Sequence, residues 1–275
     1  MELKHFNTFK KKHPKKDSFL YAIPEPPGSS FLPHLEYFLS NISKWSDSNS
    51  IIDRILETAP LTMESDKAWA KWRSFRSAQA EITVIYIIEN YFKSEELEII
   101  PTTNKKTPDF KVFIDYKELL IEVKAQSGQQ HGNKHPLDKG NNHTFFQPQF
   151  ANDLKSFLFE KKHSSRDDKP MIPKTLEAEQ KNADILVAMT DYFRDPEKSL
   201  AERMDSLCPG CKFAKQLDLN LDASSRLTIH FFQGEFPVDF ELKKLKEIWL
   251  FDESALDEFI VLYKNTSCIL EHLNK

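Results

Sequence analysis

Residues 107–126 read TPDFKVFIDYKELLIEVKAQ, and their two-residue alternation constrains the fold more than any other stretch of the chain. Side chains along a strand point alternately to opposite faces, so such a pattern specifies a half-buried hairpin. We read Asp115-Tyr116-Lys117-Glu118 as its tight turn, with Tyr116 and Lys117 central. That register sets Asp109 opposite Lys124 and Lys111 opposite Glu122, all on one face. The reverse face carries Phe110, Val112, Ile114, Leu119, Ile121 and Val123, an uninterrupted apolar set suited to a core. Phe113 and Leu120, near the turn, are the exceptions on the polar face. A one-residue slip would mix the two sets, because it flips every side chain of a strand.

The surrounding pattern supplies elements to pack on this hairpin. Apolar residues at helical spacing predict helices over residues 32–45 and 51–58, and a longer one over 65–92 with Ser65 as its cap. Glu81 shares a face of the long helix with Ser74, Ser77, Ala78, Ile85 and Ile88, a lone carboxylate in a small or apolar stripe. Strands are expected at 97–101, 109–114 and 118–126. A Gly/His/Asn-rich loop follows over 127–144, then a helix over 148–162, a short helix over 175–182 and a buried strand over 185–189. Beyond Asp191 the pattern gives a helix to Leu207, strands at 227–232 and 247–251, and a helix from Ser254. The expected class is α/β, a mixed sheet flanked by helices. The expected division is an N-terminal arm and helices over 1–60, a core over 61–192, and a C-terminal extension over 193–275 packed on that core.

Composition excludes several alternatives. Of 275 residues, 40% are hydrophobic and 29% charged, enough to build a core and unlike a disordered chain. Only 6 glycines are present and no phosphate-cradling glycine loop occurs. The basic stretch Met1–Lys16 lacks the apolar segment of a secretory signal. No run approaches the roughly 18 apolar residues of a membrane span. Three cysteines argue against a disulfide framework and suit a reducing, cytoplasmic setting. The net charge of −4 neither advertises nor excludes a nucleic-acid partner, since a local basic patch decides that. Only 7 of the 38 basic residues are Arg, which tilts toward phosphate contact over guanine reading. Lys10–Lys16 reads as a solvated arm or as one that grips a phosphate backbone.

The polar face of the hairpin carries the chemistry. Two carboxylates side by side repel each other, and burial raises their pKa values unless a cation sits between them. Mg²⁺ prefers one or two carboxylates plus waters, leaving room for a substrate phosphate. Lys124 points into the same space, where it can orient a water or stabilise charge in the transition state.

Pro108-Asp109, twelve intervening residues and then Glu122-Val123-Lys124 resembles the signature of the PD-(D/E)XK, or restriction-endonuclease-like, nuclease superfamily. The helix bearing Glu81, three strands, a helix and a strand are similar to that family's α-β-β-β-α-β core, over about residues 65–190. The resemblance implies that Asp109 and Glu122 bind Mg²⁺ (or Mn²⁺), with the Val123 backbone carbonyl as a further ligand. It makes Lys124 the catalytic lysine, Glu81 the helix acid at the metal site and Gln126 a polar neighbour. It implies a DNA endonuclease, RNA not excluded, acting as a homodimer in bacterial restriction or anti-phage defence. Two other readings compete with it. One is a non-catalytic nucleic-acid-binding or assembly subunit with the same fold. The other is an RNA-cleaving or ligand-gated nuclease.

Other signals carry less. Cys208-Pro209-Gly210-Cys211 has metal-knuckle spacing but lacks a second ligand pair, so a turn is expected. His131, His135 and His143 lie in a loop that Pro136 keeps from aligning as a helix, and with Lys134 and Lys139 that loop would border the site. Trp69 and Trp72, three apart on the long helix, are expected in the core.

Overall fold

The computed structural model describes residues 3–14, 18, 20, 31–57, 66–92, 94, 96–101, 106–125, 155–163, 170–190, 212–220 and 226–253. The first four helices are α1 Lys4–Lys12, α2 Phe31–Ser40, α3 Ser48–Ile55 and α4 Asp66–Tyr91. Strands β1 Glu96–Ile99, β2 Phe110–Ile114 and β3 Lys117–Ala125 follow. Next come helical residues 155–159 (α5), the short strands β4 Lys162–His163 and β5 Pro170–Met171, helix α6 Lys174–Gln180 and strand β6 Ile185–Thr190. Strands β7 Lys212–Asn220, β8 Arg226–Gln233 and β9 Glu247–Glu253 complete the set.

Seven strands form one mixed sheet in the order β1-β2-β3-β6-β9-β8-β7, so the expected α/β class holds. The pairs β3/β6 and β6/β9 are parallel and the other pairs antiparallel. Strand β6 lies at the centre, and Ile185–Met189 are all buried. A central parallel strand is covered on both faces, which explains its unbroken apolar run. The C-terminal region, expected to pack on the core, contributes three strands to the sheet itself.

Two apolar layers sandwich this sheet. On one side Phe110, Val112, Ile121, Val123, Val187 and Phe251 pack with α1 to α4. On the other, Leu186, Ala188, Ile248 and Leu250 pack with Phe157–Phe159 of α5, Ala178 of α6 and the 236–245 segment. Helix α4 buries residues around its circumference, including Phe75, Ala78, Ile82, Val84, Ile85 and Ile88, because α2 and α3 cover one side and the sheet the other.

The N-terminal stretch is not a free arm. Lys4–Lys12 is a helix whose Phe6 and Phe9 are buried. It lacks a side-chain cap of its own at Leu3. Instead Glu36 of α2 accepts the His5 and Phe6 backbone N–H groups at 2.9 and 2.7 Å, satisfying orphan donors and opposing the helix dipole.

The hairpin register differs from the expected one by two residues. Phe110 pairs with Ile121, Lys111 with Leu120, and Ile114 with Lys117. The turn is centred on Asp115 and Tyr116, with φ of 50° and 61°. Positive φ at both central residues defines the two-residue turn whose twist matches a hairpin. A shift of two preserves the faces: Phe110, Val112, Ile121 and Val123 are buried, with Ile114 and Leu119 packed against them. Lys111 consequently does not face Glu122; its Nζ lies 2.6 Å from Glu98 of β1. Carrying the register one residue further brings Asp109 level with Glu122, where Lys124 was expected.

Among the described residues no helix is long and apolar enough to cross a membrane. The expected helices at 191–207 and from Ser254, the cap Ser65, Gln126, the 127–144 loop with its histidines and lysines, and Cys208–Cys211 lie outside the described residues, as do the side chains of Trp69 and Trp72.

Candidate active site

Glu122 sits in the middle of β3 with no exposed surface. Its parallel partner is Leu186, so its side chain faces the α6 layer. Two ammonium groups meet it there. Lys124 Nζ lies 2.5 Å from Oε1, and Lys181 Nζ donates to both oxygens at 2.7 and 2.9 Å. Glu177 of α6 continues the network, 3.4 Å from Lys124 and 2.6 Å from Lys174.

The backbone fixes Lys181 in this place. Helix α6 ends with Asn182 at φ 59°, Asn182 N–H donating to Glu179 O at 2.9 Å and Ala183 N–H to Ala178 O at 3.0 Å. This pair of bonds around a left-handed residue is the Schellman ending, in which Asn substitutes for the usual Gly. Glu179 ties the helix down from its other face by accepting the backbone N–H groups of Lys243, Lys244 and Leu245 at 2.9–3.1 Å.

Asp109 lies just before β2 and bridges two strands. Its N–H donates to Ile121 O at 3.0 Å, its carbonyl accepts from Ile100 N–H at 2.9 Å, and its Oδ2 accepts the Val123 N–H at 2.7 Å. The Asp109 charge acts on Glu122, Glu81, Arg54 and Lys124 alike, which places it at the electrostatic centre of the cluster. Burial pushes the Glu122 carboxyl up to about 7; Asp109 adds to the rise, and Lys124 and Lys181 oppose it. Burial alone would lower the Lys124 ammonium, but the charge of Glu122, its hydrogen bond, Asp109 and Glu177 hold it above the ordinary lysine value. The two partners of this ion pair therefore respond differently. Lys124 stays charged, and the pair is lost from the carboxylate side as pH falls through about 7.

Glu81 approaches from the other face of the sheet, on α4. It is buried, and Arg54 of α3 grips it with two parallel hydrogen bonds of 2.6 Å; Ser77 Oγ donates at 3.2 Å. Burial raises its carboxyl most, opposed by the Arg54 hydrogen bond, with Asp109 adding to the rise. This bidentate arrangement is the strong form of an arginine–carboxylate contact.

The structure thus brings Asp109, Glu122, Val123 and Lys124 together and sets Glu81 within the field of Asp109. Among the described residues, however, no three His, Cys, Asp or Glu side chains gather closely enough to cage a metal ion. Arg54 holds both Glu81 oxygens, as Lys181 and Lys124 hold those of Glu122. Asp109 and Glu122 match the one or two carboxylates that Mg²⁺ takes alongside waters. The ammonium groups on Glu122 stand where a buried carboxylate pair calls for a cation.

Arg54, Lys181 and Glu177 were not singled out from the sequence. Lys181 carried one signal, a cation at the end of a short helix, but that reads equally as a complement to the helix dipole. The chain matched no protein-family model, no curated protein and no solved structure in comparisons with all three.

Proposed function

We propose that the protein is a metal-dependent nuclease of the PD-(D/E)XK kind that hydrolyses phosphodiester bonds of DNA. One observation carries this reading: a carboxyl group sealed from water at Glu122, within the field of Asp109, with the Lys124 ammonium 2.5 Å away. The element order supports it, since α4, the β1–β2–β3 meander and β6 parallel to β3 are similar to the family's core, with α5, the short β4/β5 pair and α6 standing where that core has one helix.

Asp109 and Glu122 would hold Mg²⁺ or Mn²⁺, with the Val123 backbone carbonyl beside them. The bound ion supplies a lowered water pKa and neutralises charge on the phosphate. Lys124 is the electrostatic partner of the transition state, because a lysine held above its ordinary value is a poor base and a good stabiliser of developing negative charge. Glu81, held by Arg54, would contribute from α4 as the helix acid that the family resemblance implies. A homodimer, with two sites for two strands, and a role in restriction or anti-phage defence rest on the family resemblance alone.

The test incubates the full chain with supercoiled plasmid, linear duplex, single-stranded DNA and RNA, each with Mg²⁺, with Mn²⁺ and with chelator. Metal-dependent loss of a DNA substrate supports the proposal. RNA cleavage alone moves the substrate to RNA, and inertness toward every polymer with retained binding returns the chain to a binding subunit.

A further inference from the structure

Lys181 contacts Glu122 in the position a cation would take. It bridges both carboxylate oxygens at 2.7 and 2.9 Å, whereas Lys124 approaches Oε1 and is shared with Glu177. Oxygen ligands of Mg²⁺ stand about 2.0–2.1 Å from the ion. Lys124 and Lys181 together take three of the roughly four lone-pair sites of the Glu122 carboxylate, so an ion at that distance competes with the ammonium groups for its oxygens. Lys181 is also able to leave: its side chain is 23% exposed while Glu122 has no exposed surface, so departure crosses no core. The Schellman ending of α6 holds the Lys181 backbone in place throughout, so only the side chain needs to move.

We propose that Lys181 is an internal counter-ion, displaced from Glu122 when a divalent cation binds, and that it thereby sets the metal concentration at which the site loads. The inference rests on the metal-dependent reading above and deepens it. Competition of this kind is reciprocal: the factor by which Lys181 weakens the metal is the factor by which the metal frees Lys181. Lys181 is a positioning residue in this account, acting on substrate only through Glu122.

Two measurements on the full chain test it, both in mildly alkaline buffer where protons compete least for the ligands. The first compares Mn²⁺ binding by the wild type, Lys181→Met and Asp109→Asn, using the paramagnetic signal of free Mn²⁺. Lys181→Met should bind at least about tenfold more tightly than the wild type, and Asp109→Asn should lose the site. The second labels lysines of the wild type with an amine-reactive reagent, read by mass spectrometry, and needs no variant to fold. Lys181 should be protected in chelator and become several-fold more reactive with Mn²⁺. Mn²⁺ binding that depends on Asp109 but is no tighter in Lys181→Met, with Lys181 reactivity unchanged, overturns this inference and leaves the nuclease reading standing. Absence of Mn²⁺ binding in the wild type overturns both.

Discussion

Glu122 has to reconcile full burial with a charge. Its folded value of about 7 lies above the 4.5 of a free glutamate, so between those two values the folded metal-free protein holds a proton there that the unfolded chain has released. Stability from this group is present below the unfolded value and declines as pH rises from about 4.5 to about 7, by on the order of 3 kcal/mol. Glu122→Gln cannot ionise and lacks this decline. In chelator, the melting temperature of Glu122→Gln relative to the wild type should increase between about pH 5 and about pH 8. A difference independent of pH contradicts the burial argument. Lys124 is the complementary case, because its charge persists across that range. Lys124→Ala should slow cleavage by roughly two orders of magnitude or more without loss of Mn²⁺ binding. A loss of metal binding matching the loss of rate would make Lys124 a scaffold for Glu122 instead.

Between elements, the Arg54–Glu81 contact joins α3 to α4 across 27 residues of sequence. Arg54→Ala leaves a carboxylate buried without its partner, a change that costs about 3–5 kcal/mol. Adding Glu81→Gln removes the stranded charge, so the double variant should recover part of that loss, with a coupling on the order of 2 kcal/mol in chemical denaturation. Additive losses would show that the two residues act separately.

The hairpin illustrates what the sequence can and cannot specify at this scale. Alternation determined which side chains share a face, and Phe110, Val112, Ile121 and Val123 are buried as that pattern required. It did not determine the register, since a shift of two leaves every face unchanged. The turn carried no Gly to mark it; Asp115 and Tyr116 adopt positive φ without one. Strand β7 was missed for a related reason. An irregularity between Phe213 and Lys215 breaks its alternation, which leaves only Leu217 and Leu219, among Gln216, Asp218 and Asn220, as a short regular stretch.

Across the whole molecule, the site is assembled from distant segments. Asp109, Glu122 and Lys124 lie within one hairpin and were legible as a local motif. Arg54 and Lys181 reach it only through tertiary packing, and no short-range spacing announces them. The sheet has the same character: β9 returns to pair with β6 over six residue positions, beside the strand that borders the site. Truncation after residue 192, the expected end of the core, would strip the partner from one edge of a strand buried on both faces. That fragment should fail to give a cooperative unfolding transition, and a well-folded one would show that β7, β8 and β9 are an accessory layer.

The central claim is that Asp109 and Glu122 hold the ion that drives phosphodiester hydrolysis, and Asp109→Ala tests it most directly. The measurement is plasmid cleavage by wild-type and Asp109→Ala protein of matched folding, with and without Mg²⁺, alongside binding of the same DNA across a salt series. The account predicts Mg²⁺-dependent cleavage by the wild type and none by the variant. Both should bind DNA with affinity that falls as salt rises, because phosphate contacts come from distributed lysines. Cleavage by Asp109→Ala at the wild-type rate, with contaminating nuclease removed, would contradict it.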